Sequence, residues 1–342
     1  MSKFSSASVK LLVDGIDLTP LLTESISHSN EGVTEQSNPF GSVAEGHDPV
    51  GMTKGSLVVG GGYFDEAVDL LHAGLADSGL SDTPAATSRV VNVFVEGQTA
   101  GNHCTGYEGV YSQKYEVLDS NGKLTRANVG YQVTGKADEQ AVILAPLAAI
   151  TADGDTHLTP YDAADDSTAE RHPITGASVE AGATSIITCP DDHNLTSGDV
   201  IAIFDMAGGI TPDINDSGAG AWQYVGHTVT VINATSFSIP VDVTNDGTGG
   251  YFVVVSQPTG GAGYLQVTAG SGVTNYVGKI KHSVDGTVWV DLVTFADTTT
   301  DYSTAQRVAT ATPTTQVRRY LAVYDDVTGA GSLTRFMGFG RG

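Results

Sequence analysis

KIKHSVDGTVWVDLVTF, residues 279–295, is the stretch that decides the fold class. Apolar and polar residues alternate on both sides of Asp285-Gly286, a dipeptide that favours the tight turn of a β-hairpin. We therefore predict strands over 276–283 and 288–295 with this turn between them. Gly, Thr, Val, Ser and Asp are abundant throughout the 342 residues, and this composition suits strands joined by turns. The predicted fold class is mainly β.

The same pattern continues on both sides of the hairpin. Further strands are predicted over 9–13, 21–28, 56–64, 89–96, 107–118, 123–136, 140–145, 263–269, 318–324 and 333–339. One helix is predicted over Asp65–Leu75, where apolar residues recur at helical spacing and Asp65 is placed to cap the first turn. The segment Asn30–Lys54 is polar without an apolar period, and we expect a long functional loop there.

The distribution of charge marks an insertion. No Lys or Arg occurs from His172 through Gly278, and short strands alternate with turns in this stretch. Its first part, to residue 256, carries nine acidic residues: Glu180, Asp191, Asp192, Asp199, Asp205, Asp213, Asp216, Asp242 and Asp246. We predict a small all-β module over 172–256, inserted into a discontinuous core domain made of residues 1–171 and 257–342.

The net charge of −23, from 39 acidic and 16 basic side chains, argues against a DNA-binding protein. Binding to phosphates requires clusters of Lys and Arg that release counterions, whereas an acidic surface repels DNA and can lie beside it without adhering. Residues 1–15 contain no apolar core of signal-peptide length, and no window approaches the roughly 20 apolar residues that span a bilayer. We expect a protein made in the cytoplasm with no membrane partner.

Candidate chemistry is sparse. The run Gly60-Gly61-Gly62 lacks the third glycine of a dinucleotide loop, and Cys104 and Cys189 lack the paired spacing of a zinc site. The histidines are scattered, and no segment matches a catalytic nucleophile motif. We predict no catalytic residues, no cofactor and no enzymatic activity.

Calcium is the one metal that the sequence leaves open. Asp213 and Asn215 fit the first half of an EF-hand loop, but Tyr224 stands where a bidentate Glu is required. A turn rich in Asx residues accounts for the same letters. A looser calcium site around Asp213, Asn215 and Asp216, or around Asp153, Asp155 and Asp162, remains an alternative.

Two sections carry a family resemblance. The N-terminal section contains SISHSN (25–30), NPFG (38–41) and VGMTKGSLVVGGGYFDE (50–66); the C-terminal section contains GYLQVTAGSG (263–272), KIKHSVDGTVWVDLVTF (279–295), AQRV (305–308), VRRYLAVY (317–324) and GSLTRFMGFGR (331–341). Together they resemble the major tail proteins, or tail tube proteins, of siphophages. The matching positions that we single out are Phe40, Gly41, Gly51, Lys54, Gly55, Gly62, Tyr63, Phe64, Asp65, Asp285, Gly286, Trp289, Arg318, Arg319 and Tyr320.

The resemblance implies a tail-tube-like β-barrel or sandwich core with one flanking α-helix. It also implies a structural protein of the virion tail, made in the host cytoplasm, whose copies form sixfold rings that stack head to tail around the passing DNA. Tape measure, tail terminator and tail-tip proteins would be its partners, and the segment 30–54 is a candidate contact between rings. The acidic module departs from the family pattern. We expect it to lie on the outer surface of the tube.

A second function stays open. The chain could instead be a virion protein that binds a receptor or a carbohydrate through the inserted module. A cluster of exposed aromatic side chains in the module would favour this alternative. The aromatic residues available there are Phe204, Trp222, Tyr224, Phe237, Tyr251 and Phe252.

Overall fold

A computed structural model describes residues 9–21, 26–36, 47–63, 89–118, 126–133, 137–151, 161–162, 171–179, 184–208, 214–215, 226–284, 286, 288–298 and 304–342. Over these residues the fold is mainly β, which confirms the predicted class. The only helical segment among them is a 3₁₀ turn at Thr19–Leu21. The described residues contain no helix that is long and apolar enough to cross a membrane. The predicted helix Asp65–Leu75 lies outside the described residues.

Twenty-three strands follow one another along the described part of the chain. They are β1 Lys10–Val13, β2 Ile16–Asp17, β3 Ile26–Gln36, β4 His47–Tyr63, β5 Arg89–Phe94, β6 His103–Leu118, β7 Arg126–Val133, β8 Ala137–Ile150, β9 Tyr161–Asp162, β10 His172–Pro173, β11 Gly176–Val179, β12 Ser185–Thr188, β13 Val200–Phe204, β14 His227–Thr228, β15 Thr230–Asn233, β16 Ser236–Ile239, β17 Gly247–Thr248, β18 Tyr251–Gln257, β19 Gly261–Ser283, β20 Val290–Thr294, β21 Thr304–Ala309, β22 Val317–Arg318 and β23 Tyr320–Arg341.

The strands form three antiparallel sheets. The largest has thirteen strands with the order β2-β1-β5-β6-β8-β23-β19-β20. From this path, β7, β4 and β3 branch off at β6, β21 pairs with β19, and β9 pairs with β23. None of the described sheets closes on itself, so the expected barrel is not confirmed.

The two longest strands, β19 and β23, pair with each other over almost their full lengths. We predicted two separate strands in each of these stretches, with glycine-rich breaks between them. That prediction was wrong, because the two glycine-rich segments, 269–272 and 329–332, lie opposite each other in one ladder with irregular register. A Cβ added to Gly331 would overlap the carbonyl oxygen of Ser271. The glycines therefore bend the strands without ending them.

This bend folds the large sheet into two layers. Arg335 Nε donates a hydrogen bond of 2.9 Å to Asp325 Oδ1, although the two residues are ten positions apart in one strand that would separate them by about 33 Å if straight. A Cβ on Gly263 would lie 2.9 Å from the Ile280 side chain, so the two halves of β19 also face each other. The main hydrophobic cluster fills the space between them: Leu144, Ala145, Leu265, Val267, Val273, Tyr276, Ile280, Val293, Phe295, Val317, Leu321, Val323, Val327, Leu333, Met337 and Phe339.

The stretch predicted as the inserted module contains the other two sheets except for one strand, β22, which pairs with β18. One has the order β10-β18-β13-β14 and the other β15-β16-β12-β11-β17. They enclose a hydrophobic cluster of their own, whose buried members all lie between Ile174 and Phe252. His193 helps to fix a turn here, because its Nδ1 accepts the Leu195 N–H at 3.0 Å and its Nε2 lies 2.8 Å from the Asn233 carbonyl oxygen.

We predicted one long loop over Asn30–Lys54, and this prediction was wrong. β3 and β4 form an antiparallel hairpin from the pair Ile26 and Val59 to the pair Gln36 and His47. A ladder of backbone hydrogen bonds does not require an apolar period, so a polar sequence can form it. β7 pairs with β4 only from Gly55 onward. Among the described residues, 32–36 and 47–53 therefore pair only with each other.

Candidate assembly surface

The hairpin β19–β20 carries three of the six C-terminal motif positions, namely Asp285, Gly286 and Trp289, in the segment that connects its strands. Its strands pair from Lys279 and Thr294 to His282 and Val290, which confirms the predicted hairpin. Gly286 has a φ of +73°, a conformation that glycine adopts without strain, and its N–H donates to Ser283 Oγ at 3.0 Å. Asp285 lies outside the described residues, and Trp289 directly precedes β20.

The outer face of this hairpin carries paired charges. Lys279 Nζ lies 3.2 Å from Asp291 Oδ2, and Lys281 Nζ lies 4.0 Å from Asp291 Oδ1. Lys281 Nζ also lies 4.1 Å from the centre of the Tyr324 ring. Because Asp291 is 45% exposed, solvent screens these ion pairs, and each contributes no more than about 1 kcal/mol to stability. Their main effect is to fix the orientation of the lysines.

The outer edge of β20 exposes apolar side chains. Val288 is 64% exposed and Val290 is 44% exposed, and β20 is the last strand on its end of the sheet. Among the residues whose side-chain exposure the structure describes, three further large hydrophobic side chains are exposed: Val58, Val95 and Ile232. Natural proteins usually protect a sheet edge with charges, Pro or a bulge. β20 carries one charge, that of Asp291, and no Pro, so this edge is only weakly protected against pairing with another strand.

A basic cluster lies beside the hairpin. The Arg318 N–H donates to His282 Nδ1 at 3.3 Å, and Arg341 Nη2 donates to the Arg318 carbonyl oxygen at 3.2 Å. The Arg319 N–H donates to the Val255 carbonyl oxygen at 3.0 Å, and its guanidinium carbon lies 5.3 Å from the centre of the Tyr320 ring. Burial, followed by the charges of Arg318 and Arg341, lowers the pKa of His282 from its usual 6.5 to about 4.

The pKa of His282 predicts loss of stability in acid. Between pH 6.5 and 4 the unfolded chain binds a proton at His282 that the folded chain binds only weakly, so the stabilisation is complete above pH 6.5 and falls as the pH drops. Replacing His282 with Asn should reduce the decrease in free energy of unfolding from pH 7.5 to 4 by about 1–3 kcal/mol. Urea titrations at both pH values measure this decrease. An equal decrease in the free energy of unfolding for His282→Asn and wild type would contradict the assignment.

The core and the module share a strand pair that sequence reasoning missed. β22, from the C-terminal section, adds to the module sheet by pairing Ser256 with Arg318 and Gln257 with Val317. Gln316 Nε2 donates to the Gly198 carbonyl oxygen at 2.9 Å, and Ser256 Oγ donates to Gln316 Oε1 at 2.7 Å. The arginines of the VRRY motif therefore lie at the junction between the core and the module.

The N-terminal motif positions lie elsewhere in the large sheet. Gly51, Lys54 and Gly55 are on β4, and Gly62 and Tyr63 pair with Ala127 and Arg126 at its end. β4 connects to the main path of the sheet through β7 and β6, whereas β20 connects through β19 and β23. Among the described residues, the two sets of motif positions therefore lie on different branches of the sheet. Phe40, Gly41, Phe64 and Asp65 lie outside the described residues.

Only one of the three first calcium candidates is described. Asn215 Oδ1 accepts the Met206 N–H at 2.8 Å, and its Nδ2 donates to the Met206 carbonyl oxygen at 3.0 Å, so both polar groups of this side chain bond the backbone of a residue earlier in the chain. Asp213 and Asp216 lie outside the described residues. The described part of the chain contains no group of three His, Cys, Asp or Glu side chains that could hold a metal.

The sequence analysis also did not predict a buried ion pair in the core. Arg335 and Asp325 are 1% and 0% exposed, and Tyr276 Oη donates to Asp325 Oδ1 at 2.9 Å. The alternation of the strand indicates the burial of Arg335, because residues two positions apart share a face and both Leu333 and Met337 are buried. Their positions in the strand place the charged side chain on the core side of the sheet.

Comparisons with known proteins add no relative. No family model matches the chain, and a search of the curated proteins finds no match. The resemblance to tail tube proteins therefore depends on the motif residues themselves.

Proposed function

We propose that the chain is the structural subunit of a phage tail tube and has no enzymatic activity. The observation that carries the proposal is the occurrence, in order, of the two motif sections that resemble siphophage tail tube proteins. The open thirteen-stranded sheet with its apolar edge at β20 supports it, because a subunit that polymerises needs an unsatisfied surface. Copies would form rings of six, and the rings would stack head to tail.

In this proposal DNA is cargo and not a ligand. The net charge of −23 gives the wall of the tube no general affinity for phosphates, so DNA can slide through it. The rings would stack into an open filament, because head-to-tail contacts leave one face free. A tape measure protein would set its length, and terminator and tip proteins would bind its two ends.

The module belongs on the outside of the tube in this proposal. Its nine acidic residues would repel one another if six copies faced a narrow lumen, whereas bulk solvent at physiological salt screens charges over about 8 Å. The module is held to the core through β22, so it would project from each subunit in a fixed orientation. A regular outer decoration of the tube would follow.

The described aromatic residues of the module do not support the receptor-binding alternative. Phe237 and Phe252 are fully buried in the module's own cluster. The Tyr251 ring stacks on Phe204 with centroids 5.2 Å apart, and the Arg171 guanidinium carbon lies 4.5 Å from the centre of the same ring. Phe237 and Phe252 are thus inside the protein, whereas Phe204 and Tyr251 are half-buried and pack against each other. Trp222 and Tyr224 lie outside the described residues.

The proposal predicts self-assembly that electron microscopy can detect. Purified protein, concentrated or seeded with tail-tip complexes, is expected to form hollow tubes of stacked rings, because its contacts do not close. Negative-stain images of seeded and unseeded samples measure this directly, and the unseeded sample at low concentration is the control. Only monomers or small closed oligomers under every seeding condition would overturn the proposal.

A further inference from the structure

Two side chains of the core hold the backbone of Arg318 on β22. The Arg318 N–H donates to His282 Nδ1 at 3.3 Å, and Arg341 Nη2 donates to the Arg318 carbonyl oxygen at 3.2 Å. The N–H and C=O of one strand residue point to the same side of the strand, so His282 and Arg341 lie along the same edge of β22. This edge faces away from β18, because the next N–H, that of Arg319, donates to Val255 on β18.

The second ring nitrogen of His282 is a donor without an acceptor. Because Nδ1 accepts a hydrogen bond, the neutral ring carries its proton on Nε2. No residue that the structure describes accepts this N–H, although the side chain is only 7% exposed. Nε2 itself is not fully buried, so an ion from solvent can reach it. A buried donor in this state is stabilised by an acceptor from outside the chain.

The charge of Arg318 is also unbalanced. Its half-buried guanidinium forms no hydrogen bond and no ion pair with any described residue. After burial itself, the charges that lower the pKa of His282 are those of Arg318 and Arg341, and both are positive. The chain has 39 acidic side chains, yet none of the described ones pairs with Arg318. This local excess of positive charge favours binding of an anion.

We propose that Arg318, Arg341 and His282 bind a small oxyanion, such as phosphate or sulfate, at the junction between the core and the module. Guanidinium and imidazole N–H groups donate to oxyanion oxygens, and a doubly charged ion balances two guanidiniums. Arg318 belongs to the module sheet through β22, whereas His282 and Arg341 lie on β19 and β23 of the large sheet. A bound ion therefore joins the two parts and stabilises their junction. This inference does not depend on the proposed tube function.

The first test compares melting temperatures in sodium sulfate and in sodium chloride at equal ionic strength. Sulfate at roughly ten times its dissociation constant is expected to raise the melting temperature of wild type by about 2 °C. Arg318→Gln should remain folded, because its guanidinium bonds no described residue, and should lose this gain. Arg171→Gln is the matched control, since Arg171 lies on the Tyr251 ring instead, and it should keep the gain. The difference between variants cancels the general stabilising effect of sulfate.

The second test uses the imidazole of His282 as a probe. Its NMR signals, identified by their absence in His282→Asn, are followed from pH 7.5 to 4, a range in which sulfate stays doubly charged. A bound anion favours the charged ring, so sulfate is expected to raise the pKa of His282 by about 1 relative to chloride. Arg318→Gln should not show this response. In chloride the same variant should raise the pKa of His282, because one of two nearby positive charges is gone, and this verifies that the ring still lies beside position 318.

A short DNA duplex distinguishes a free ion from nucleic acid as the source of the oxyanion. The three side chains are buried or half-buried, so a duplex at the same phosphate concentration should not displace sulfate. Displacement would make the cluster a nucleic-acid contact, and the site for a free ion would be wrong. Equal melting temperatures of wild type in the two salts, a full gain in Arg318→Gln, or a pKa of His282 that sulfate leaves unchanged would each overturn the proposal. A gain in wild type and Arg171→Gln but not in Arg318→Gln, together with the response of His282, supports the site.

Discussion

Replacing Asp325 with Asn is expected to lower the free energy of unfolding by about 3–5 kcal/mol. Arg335 Nε lies 2.9 Å from Asp325 Oδ1, its Nη2 bonds the other carboxylate oxygen, and both residues are essentially inaccessible to solvent. Hydrogen bonds from Arg335 raise the guanidinium's pKa despite burial, so the arginine stays charged. An amide at position 325 would leave that charge buried without a counter-ion.

The effect should be large because the pair also closes the fold. The bond joins two halves of β23 that are ten residues apart, on opposite sides of the glycine-rich bend. Tyr276 Oη adds a bond from the facing strand β19. Loss of the carboxylate therefore removes interactions from both layers of the core at once, in a place where water cannot replace them.

Urea denaturation of three further variants identifies the cause. Asp326→Asn changes the neighbouring, partly exposed carboxylate and should cost less than about 1 kcal/mol. Tyr276→Phe removes one hydrogen bond, at about 1–2 kcal/mol. Asp325→Leu with Arg335→Met replaces the pair by apolar groups and should recover most of the loss. A loss below 1 kcal/mol for Asp325→Asn would show that the ion pair does not hold the bend.

Local patterns predicted much of the fold. The hairpin around Asp285-Gly286 and the strand Arg89–Phe94 follow from alternation and turn residues, which act over a few positions. The bend in β19 and β23 did not follow. The same glycine-rich letters favour a turn or a bulge, and only the partner strand opposite decides between them. The polar hairpin of β3 and β4 escaped for a related reason, since backbone pairing leaves no periodic signal.

The candidate site was predictable only as separate pieces. The sequence identifies Trp289 and the VRRY motif, Val317–Tyr320, as motif positions, but it does not reveal that β22 crosses to the module sheet. Pairings between residues about 60 positions apart depend on tertiary topology, and a single sequence carries no local trace of them. Exposure is also a tertiary property. Alternation places Val290 and Val293 on opposite faces of β20, but only the fold shows which face is covered, since Val290 is 44% exposed and Val293 3%.

Replacing Gly331 with Ala is expected to be the second most damaging single change, at about 3 kcal/mol or more. A Cβ at this position would overlap the Ser271 carbonyl oxygen and the Gly272 carbonyl carbon, and it would lie 2.6 Å from the Val273 nitrogen. All three are backbone atoms of the facing strand, so no side chain can rotate to relieve the overlap. The ladder between β19 and β23 would have to separate at the bend.

Gly97→Ala is the matched control, because it separates backbone strain from overlap. Gly97 has a φ of +83° but no atom within 4 Å of an added Cβ, so its substitution should cost only about 1–2 kcal/mol. The free energies of unfolding of both variants, measured in urea, should differ by at least about 1 kcal/mol, with Gly331→Ala the less stable. If the two variants lose equal stability, the close approach of the strands at Gly331 does not shape the bend. If Gly331→Ala is the less stable variant, a methyl group is too large for the bend. The folding of the large sheet into two layers then depends on a glycine at this position.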